Sequence, residues 1–133
     1  MIQDTFEAAL LLRLYPRAQI DIYIEVLQQD GGLLSAAINA ATLALVDAGV
    51  PMIDLVCACT SGLVEGEPIL DLNYAEEASD SAVVPVAVLL GSSNVLSLAL
   101  QARMNVDLFK RVVDLALVGC NEVIRNRFVS STY

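Results

Sequence analysis

Apolar and polar residues alternate along Gln19–Val26, where Ile20, Ile22, Ile24 and Val26 interleave with Asp21, Tyr23 and Glu25. That period of two predicts a strand with one buried face, Ile22 and Ile24 on the inside and Asp21 and Glu25 outside. Ahead of it, Asp4 to Tyr15 is rich in Ala and Leu and is halted by Pro16, which predicts a helix. After Asp30-Gly31-Gly32 breaks the strand, Ser35 can cap a second helix running through Ala37, Ile38, Ala41 and Leu45 to a stop at Ala48-Gly49.

The remaining pattern predicts short antiparallel strands and a final helix. Leu55–Gly62 and Pro68–Asn73 flank the tight-turn composition Glu65-Gly66-Glu67, and Val83–Leu90 and Val95–Ala102 flank Gly91-Ser92-Ser93-Asn94. Between the two pairs, Glu76–Ser81 has the composition of an acidic loop, and the four strands are expected to form a meander. Pro85 places its strand at a sheet edge, or delays its start, because proline cannot donate to a ladder. Asn105 is a fitting N-cap and Asp107 a fitting first-turn acid for a last helix with Leu108, Val112, Leu115, Gly119 and Val123 at helical spacing. Helices with a largely antiparallel sheet make the fold class α+β.

Composition alters this picture in four ways. The 133 residues suit one folding unit, yet 56% are apolar and 17% charged, so some apolar surface is expected to be covered by partners. Asp47, Asp54, Glu65 and Asp71 interrupt the apolar stretches, and the first residues lack a basic leader, which predicts an intracellular protein without a membrane partner. The net charge of −9 excludes a broad electrostatic grip on nucleic acid by this chain alone. Cys57, Cys59 and Cys120 fit unoxidised core thiols, and with no histidine and a C-x-C spacing no metal site is expected.

Two segments could carry chemistry. Gln28 to Ala36 is a glycine turn entering a helix, which either serves the backbone alone or exposes N–H groups to an anion. Ile69 to Glu77 ends an apolar strand on Asp71 and continues into further acids. These carboxylates are either a solvated loop or a converging pair able to hold magnesium or move protons. Without histidine, no serine, cysteine or lysine has an evident activating partner.

Taken in order, Thr5-Phe6-Glu7-Ala8-Ala9, Pro16-Arg17-Ala18-Gln19-Ile20-Asp21-Ile22, Gln29-Asp30-Gly31-Gly32, Ala41-Thr42-Leu43-Ala44, Asp47-Ala48-Gly49-Val50-Pro51-Met52 and Asp71-Leu72-Asn73-Tyr74 resemble the RNase PH family. The likeness is to its RNA exosome branch. It implies the RNase PH-type fold (ribosomal protein S5 domain 2-like), a mixed and largely antiparallel sheet packed with helices. On this reading residues 1–127 are the second half of such a domain and 128–133 a divergent tail.

The resemblance also assigns positions. Family members that act on RNA trim it from the 3′ end with inorganic phosphate, using a hydroxyl and a guanidinium after the glycine turn; here Gly31 and Gly32 are followed by Leu33 and Leu34. The two acidic positions fall on Asp71 and Glu77, the second a methylene longer than the usual aspartate. The expectation is therefore a catalytically inactive homologue with vestigial phosphate and acid positions and no cofactor. It would be a subunit of the exosome core ring supporting 3′-to-5′ RNA processing and degradation. Its expected partners are other RNase PH-like exosome subunits, S1/KH-type cap subunits and RNA threaded through the ring, in nucleus, nucleolus and cytoplasm. The alternatives are a residually active phosphorolytic exoribonuclease and a truncated product without independent function.

Overall fold

The computed structural model describes residues 1–11, 14, 16–79, 81–92, 94–100 and 103–128. In chain order the elements are α1 (Ile2–Ala9), α2 (Leu33–Asp47), β1 (Val56–Val64), β2 (Glu67–Leu70), α3 (Tyr74–Ala78), β3 (Ala82–Leu89), β4 (Val95–Leu98) and α4 (Val106–Val123), the last continued by a π-helical turn over Ile124–Phe128. The α+β class expected from the pattern is what the chain adopts. The expected tail lies outside the described residues from position 129 onward.

One antiparallel sheet of four strands in the order β2-β1-β3-β4 organises everything else. Because β1 pairs with both β2 and β3, this is not the sequential meander the pattern suggested. After β2 the chain crosses through α3 and returns on the far side of β1. Successive residues of β1 face opposite sides of the sheet. Cys57 and Cys59 join Val84, Val86 and Val88 beneath Val112, Ala116 and Cys120 of α4. Val56, Ala58 and Ala87 meet Ile38, Ala41 and Leu45 of α2 and Phe6 and Ala9 of α1. Both faces are therefore covered, which is why β1 and β3 read as nearly unbroken apolar runs.

β1 is longer than β2, and other groups complete its ladder past the end of that partner. Thr42 Oγ1 donates to Val56 O at 2.8 Å, Asn39 Nδ2 donates to Ala58 O at 2.9 Å, and Asn39 Oδ1 accepts from Ala58 N at 2.8 Å. Further along, Asp71 N donates to Thr60 O at 2.8 Å. Two polar residues of α2 thus stand in for strand backbone, so that the buried peptide groups of β1 are satisfied.

Further sequence expectations change. Gln19–Val26 forms no strand, because no ladder pairs it with another segment among the described residues. Its phase is partly kept: Ile20 and Ile22 pack on the α1/α2 core, but Ile24 is exposed rather than buried with Ile22. Pro85 sits in an interior strand instead of an edge. Its carbonyl accepts from Ala99 N at 3.3 Å, so its missing donor faces the β4 side at a point where β4 has already ended at Leu98. Finally, the expected acidic loop is the short helix α3. Asn73 caps it, accepting from Glu76 N at 2.9 Å while Glu76 Oε2 accepts from Asn73 N at 2.9 Å.

The first helix ends at Ala9, short of the expected Tyr15, as Leu10 turns extended to bridge Met52. Glu65 and Gly66 both take positive φ in the β1–β2 hairpin, as the turn composition suggested. Asn105 caps α4 by accepting from Asp107 N at 3.0 Å. Among the described residues no helix is long and apolar enough to cross a membrane.

Candidate functional site

Gly31 and Gly32 adopt φ of +84° and +62°, and Gly32 is the N-cap of α2. The turn is clasped by the segment that follows β2. Asp30 Oδ1 accepts from Tyr74 N at 3.2 Å, and Gly31 lies so close to the Leu72–Asn73 backbone that an added Cβ would stand 2.3 Å from Leu72 O. Gly32 N donates to Glu77 Oε1 at 2.8 Å, a bond between residues 45 apart in the chain. Asp71, itself in a left-handed conformation at φ +59°, brings Oδ1 within 3.6 Å of where a Cβ on Gly32 would be.

The two segments singled out in the sequence are thereby one place. A cavity of about 400 Å³ opens there, walled by Gly32, Leu33, Leu34, Thr60, Glu77 and Ser81, with Val83, Pro85 and Ala99 behind. Leu33 and Leu34 are 37% and 40% exposed, so the cavity wall they form is apolar rather than cationic. No side chain caps α2, and the carboxylate of Glu77 occupies its positive end instead, a favourable placement for an anion.

Sequence reasoning missed Thr60 and Ser81, and it took Ser35 for the cap of α2, which is Gly32 instead. Ser35 Oγ and Thr60 Oγ1 share a buried hydrogen bond of 2.6 Å that ties α2 to β1 directly behind the glycine turn. Ser81 Oγ donates to Glu76 O at 2.8 Å and so holds the end of α3 against the cavity. No motif marks these residues. The capping box Asn73–Glu76 was a legible signal, and it would have turned the acidic loop into a helix that aims Glu77.

The electrostatics of the site extend into the core. Burial pushes the Cys59 thiol up to about 11, with the charge of Asp71 and the neighbouring Cys57 adding to the effect. All three cysteines are free and buried, as expected for core thiols. The described residues contain no cluster of three or more metal-ligating side chains.

Residues 1–51 match the family model described as 3′ exoribonuclease family, domain 1, and residues 54–119 match its domain 2. The chain is 46% identical over 122 residues to the human exosome complex component RRP41, covering 92% of this chain and 50% of that protein. Against exosome complex component Rrp41 of the archaeon Pyrococcus abyssi it is 43% identical over 127 residues, covering 96% of this chain and 51% of the relative. The crystal structure of rice Rrp46 superposes with a TM-score of 0.80 at 28% identity, over 94% of this chain and 60% of that one. The chain spans about half the length of the curated relatives it matches.

These findings overturn one expectation, that of a catalytically inactive homologue. Both matching models are those of the 3′ exoribonuclease family, and the archaeal Rrp41 proteins match nearly as well as the human one, so nothing sets this chain apart from that family as inactive. That expectation rested on Leu33 and Leu34 in place of a hydroxyl and a guanidinium, and on Glu77 being a methylene longer than the usual aspartate. The structure instead fixes that carboxylate on Gly32 N, beside Asp71, so its extra methylene does not part it from the glycine turn.

Proposed function

The chain belongs to the RNase PH (3′ exoribonuclease) family, and from that premise we propose that it serves as an RNase PH-like subunit of an RNA exosome core ring, acting in 3′-to-5′ RNA processing and degradation. In this reading the Gly31–Leu34 turn, Asp71 and Glu77 face the 3′ end of the RNA. The observation that carries it is the bond from Gly32 N to Glu77 Oε1, which brings the glycine turn and Glu77 onto one cavity. A pair of carboxylates at an RNA end can accept protons from hydroxyls or position a divalent cation on a phosphate.

The ring also answers an electrostatic problem. A chain with net charge −9, and no Lys or Arg among the described residues of this cavity wall, cannot attract a polyanion unaided. Neighbouring RNase PH-like subunits and S1/KH-type cap subunits supply the cationic path, and RNA reaches the acids through it. The compartments that follow are nucleus, nucleolus and cytoplasm.

The test is co-expression of the tagged chain with the other ring subunits of its source, followed by recovery of the ring and a 3′-end trimming assay with phosphate. The chain is expected in the ring at equal stoichiometry, with Asp71→Asn retaining assembly and slowing any trimming that depends on this chain by more than about tenfold. Folded protein excluded from every ring refutes the reading.

A further inference from the structure

The cysteines, which the RNA site does not use, meet at one seam between β1 and α4. Cys57 and Cys59 stand on the same face of β1 and pack with Ala116 and Cys120 of the helix. Small residues let α4 come down closely onto the strand there. A Cβ added to Gly119 would stand 2.8 Å from Cys59 Sγ and 2.7 Å from Leu70 Cδ1. At this close approach Cys57 Sγ donates to Cys120 O at 3.5 Å, and Cys120 Sγ faces Cys57 O at 4.0 Å, so each thiol lies against the other residue's backbone. The two side chains are also hydrogen-bonded to each other. Cys59, by contrast, has the bare backbone of Gly119 above it. Residues two apart on a strand are separated by about 6.8 Å and point the same way, which leaves a Cys57–Cys59 bridge at the limit of disulfide reach.

We propose that Cys57 and Cys120 form a redox lock, closing to a disulfide under a hydroperoxide and fastening α4 to the interior strand β1. Cys57 is the attacking sulfur. Its hydrogen bond with Cys120 holds the Cys57 thiol below its ordinary value against the effect of burial, whereas burial pushes Cys59 up to about 11 and makes it the less reactive of the two. The Cys57 thiolate attacks one peroxide oxygen, the O–O bond breaks with loss of hydroxide, and Cys57 becomes a sulfenic acid. Cys120 then gives up its proton, its sulfur attacks the Cys57 sulfur, and the S–S bond forms as the second hydroxide leaves. Two thiols and one hydrogen peroxide thus become one disulfide and two waters. Both sulfurs are fully buried, so the oxidant reaches them when the end of α4 lifts from the sheet, and the bond once made removes that motion. The bridge joins residues 63 apart in the chain, a loop long enough to restrict the unfolded state strongly.

The experiment oxidises the reduced full chain with a small excess of hydrogen peroxide, counts free thiols, and identifies linked peptides by mass spectrometry after digestion without reductant. The folded chain should lose two thiols and two hydrogens, with Cys57 linked to Cys120 and Cys59 still free, and dithiothreitol should restore every thiol. In urea the oxidised chain should unfold later than the reduced one, its unfolding constant lowered by at least about thirtyfold. Cys59→Ala should keep both the link and the shift, and Cys120→Ala should lose both. The same oxidation of the urea-unfolded chain is the control, in which the fold favours no pairing. The lock is overturned by any of three results: folded thiols that survive an oxidant able to link the unfolded chain, links made through Cys59 or between chains, or an oxidised chain no more stable than the reduced one. If Cys120→Ala does not fold, the peptide map of the wild type and the behaviour of Cys59→Ala decide the same question.

Discussion

Replacing Gly31 by alanine is the sharpest test of how the site is held. Its φ of +84° already disfavours any L side chain, at about 1–2 kcal/mol. The new Cβ would also stand 2.3 Å from Leu72 O, 2.8 Å from Asn73 C and 2.9 Å from Asn73 Cα, all backbone atoms that cannot rotate away. Parting the two segments adds an overpacking cost of about 1–3 kcal/mol and weakens the Asp30–Tyr74 and Gly32–Glu77 bonds by up to about 1 kcal/mol each. Gly66 is the matched control, since its φ is +79° and nothing lies within 4 Å of an added Cβ. Urea unfolding followed by circular dichroism should show Gly31→Ala destabilised by about 2–4 kcal/mol more than Gly66→Ala at an unchanged denaturant slope. If the two variants differ by less than about 0.5 kcal/mol, the clasp between the glycine turn and Leu72–Asn73 is not as described.

Two further outcomes concern the core. Asn39→Leu preserves volume but strips both partners from Ala58, and should cost about 2–4 kcal/mol and speed exchange of the Ala58 amide; unchanged protection there would show that α2 does not complete the β1 ladder. Cys59 should make the fold sensitive to alkali. Its pKa is raised from 9.0 to about 11 in the folded chain, so its contribution is fully present below pH 9 and is lost as pH rises toward 11, where the unfolded thiol has already ionised. The wild type should lose about 2–3 kcal/mol more than Cys59→Ala between pH 8 and 11, and parallel stability curves for the two would refute the assignment.

Local chemistry accounts for what could be read directly from the chain. The hairpin at Glu65-Gly66, the cap at Asn105 and the buried face of α4 depend on residues within a turn or two of each other, so their signals survive in one dimension, whereas the cap expected of Ser35 on α2 falls to Gly32 because Ser35 turns inward to Thr60. The Asn73–Glu76 capping box belongs to the same class, although the acidity of the segment masked it. Matched blocks such as Gln29-Asp30-Gly31-Gly32 and Asp71-Leu72-Asn73-Tyr74 carried the family for the same reason.

Long-range pairing decided the rest. Alternation in Gln19–Val26 states which residues favour one face, but a strand exists only when another backbone pairs with it, and no ladder does so among the described residues. Whether Pro85 belongs at an edge depended on where β4 stops, a fact located thirteen residues further on at Leu98. Leu33, Leu34 and Glu77 looked like departures from a family pattern when each was judged by its own side chain. Only the fold, by seating Glu77 on Gly32 N beneath an apolar wall, showed that these positions make one cavity, because a hydrogen bond spanning 45 residues leaves no trace in the spacing of either segment.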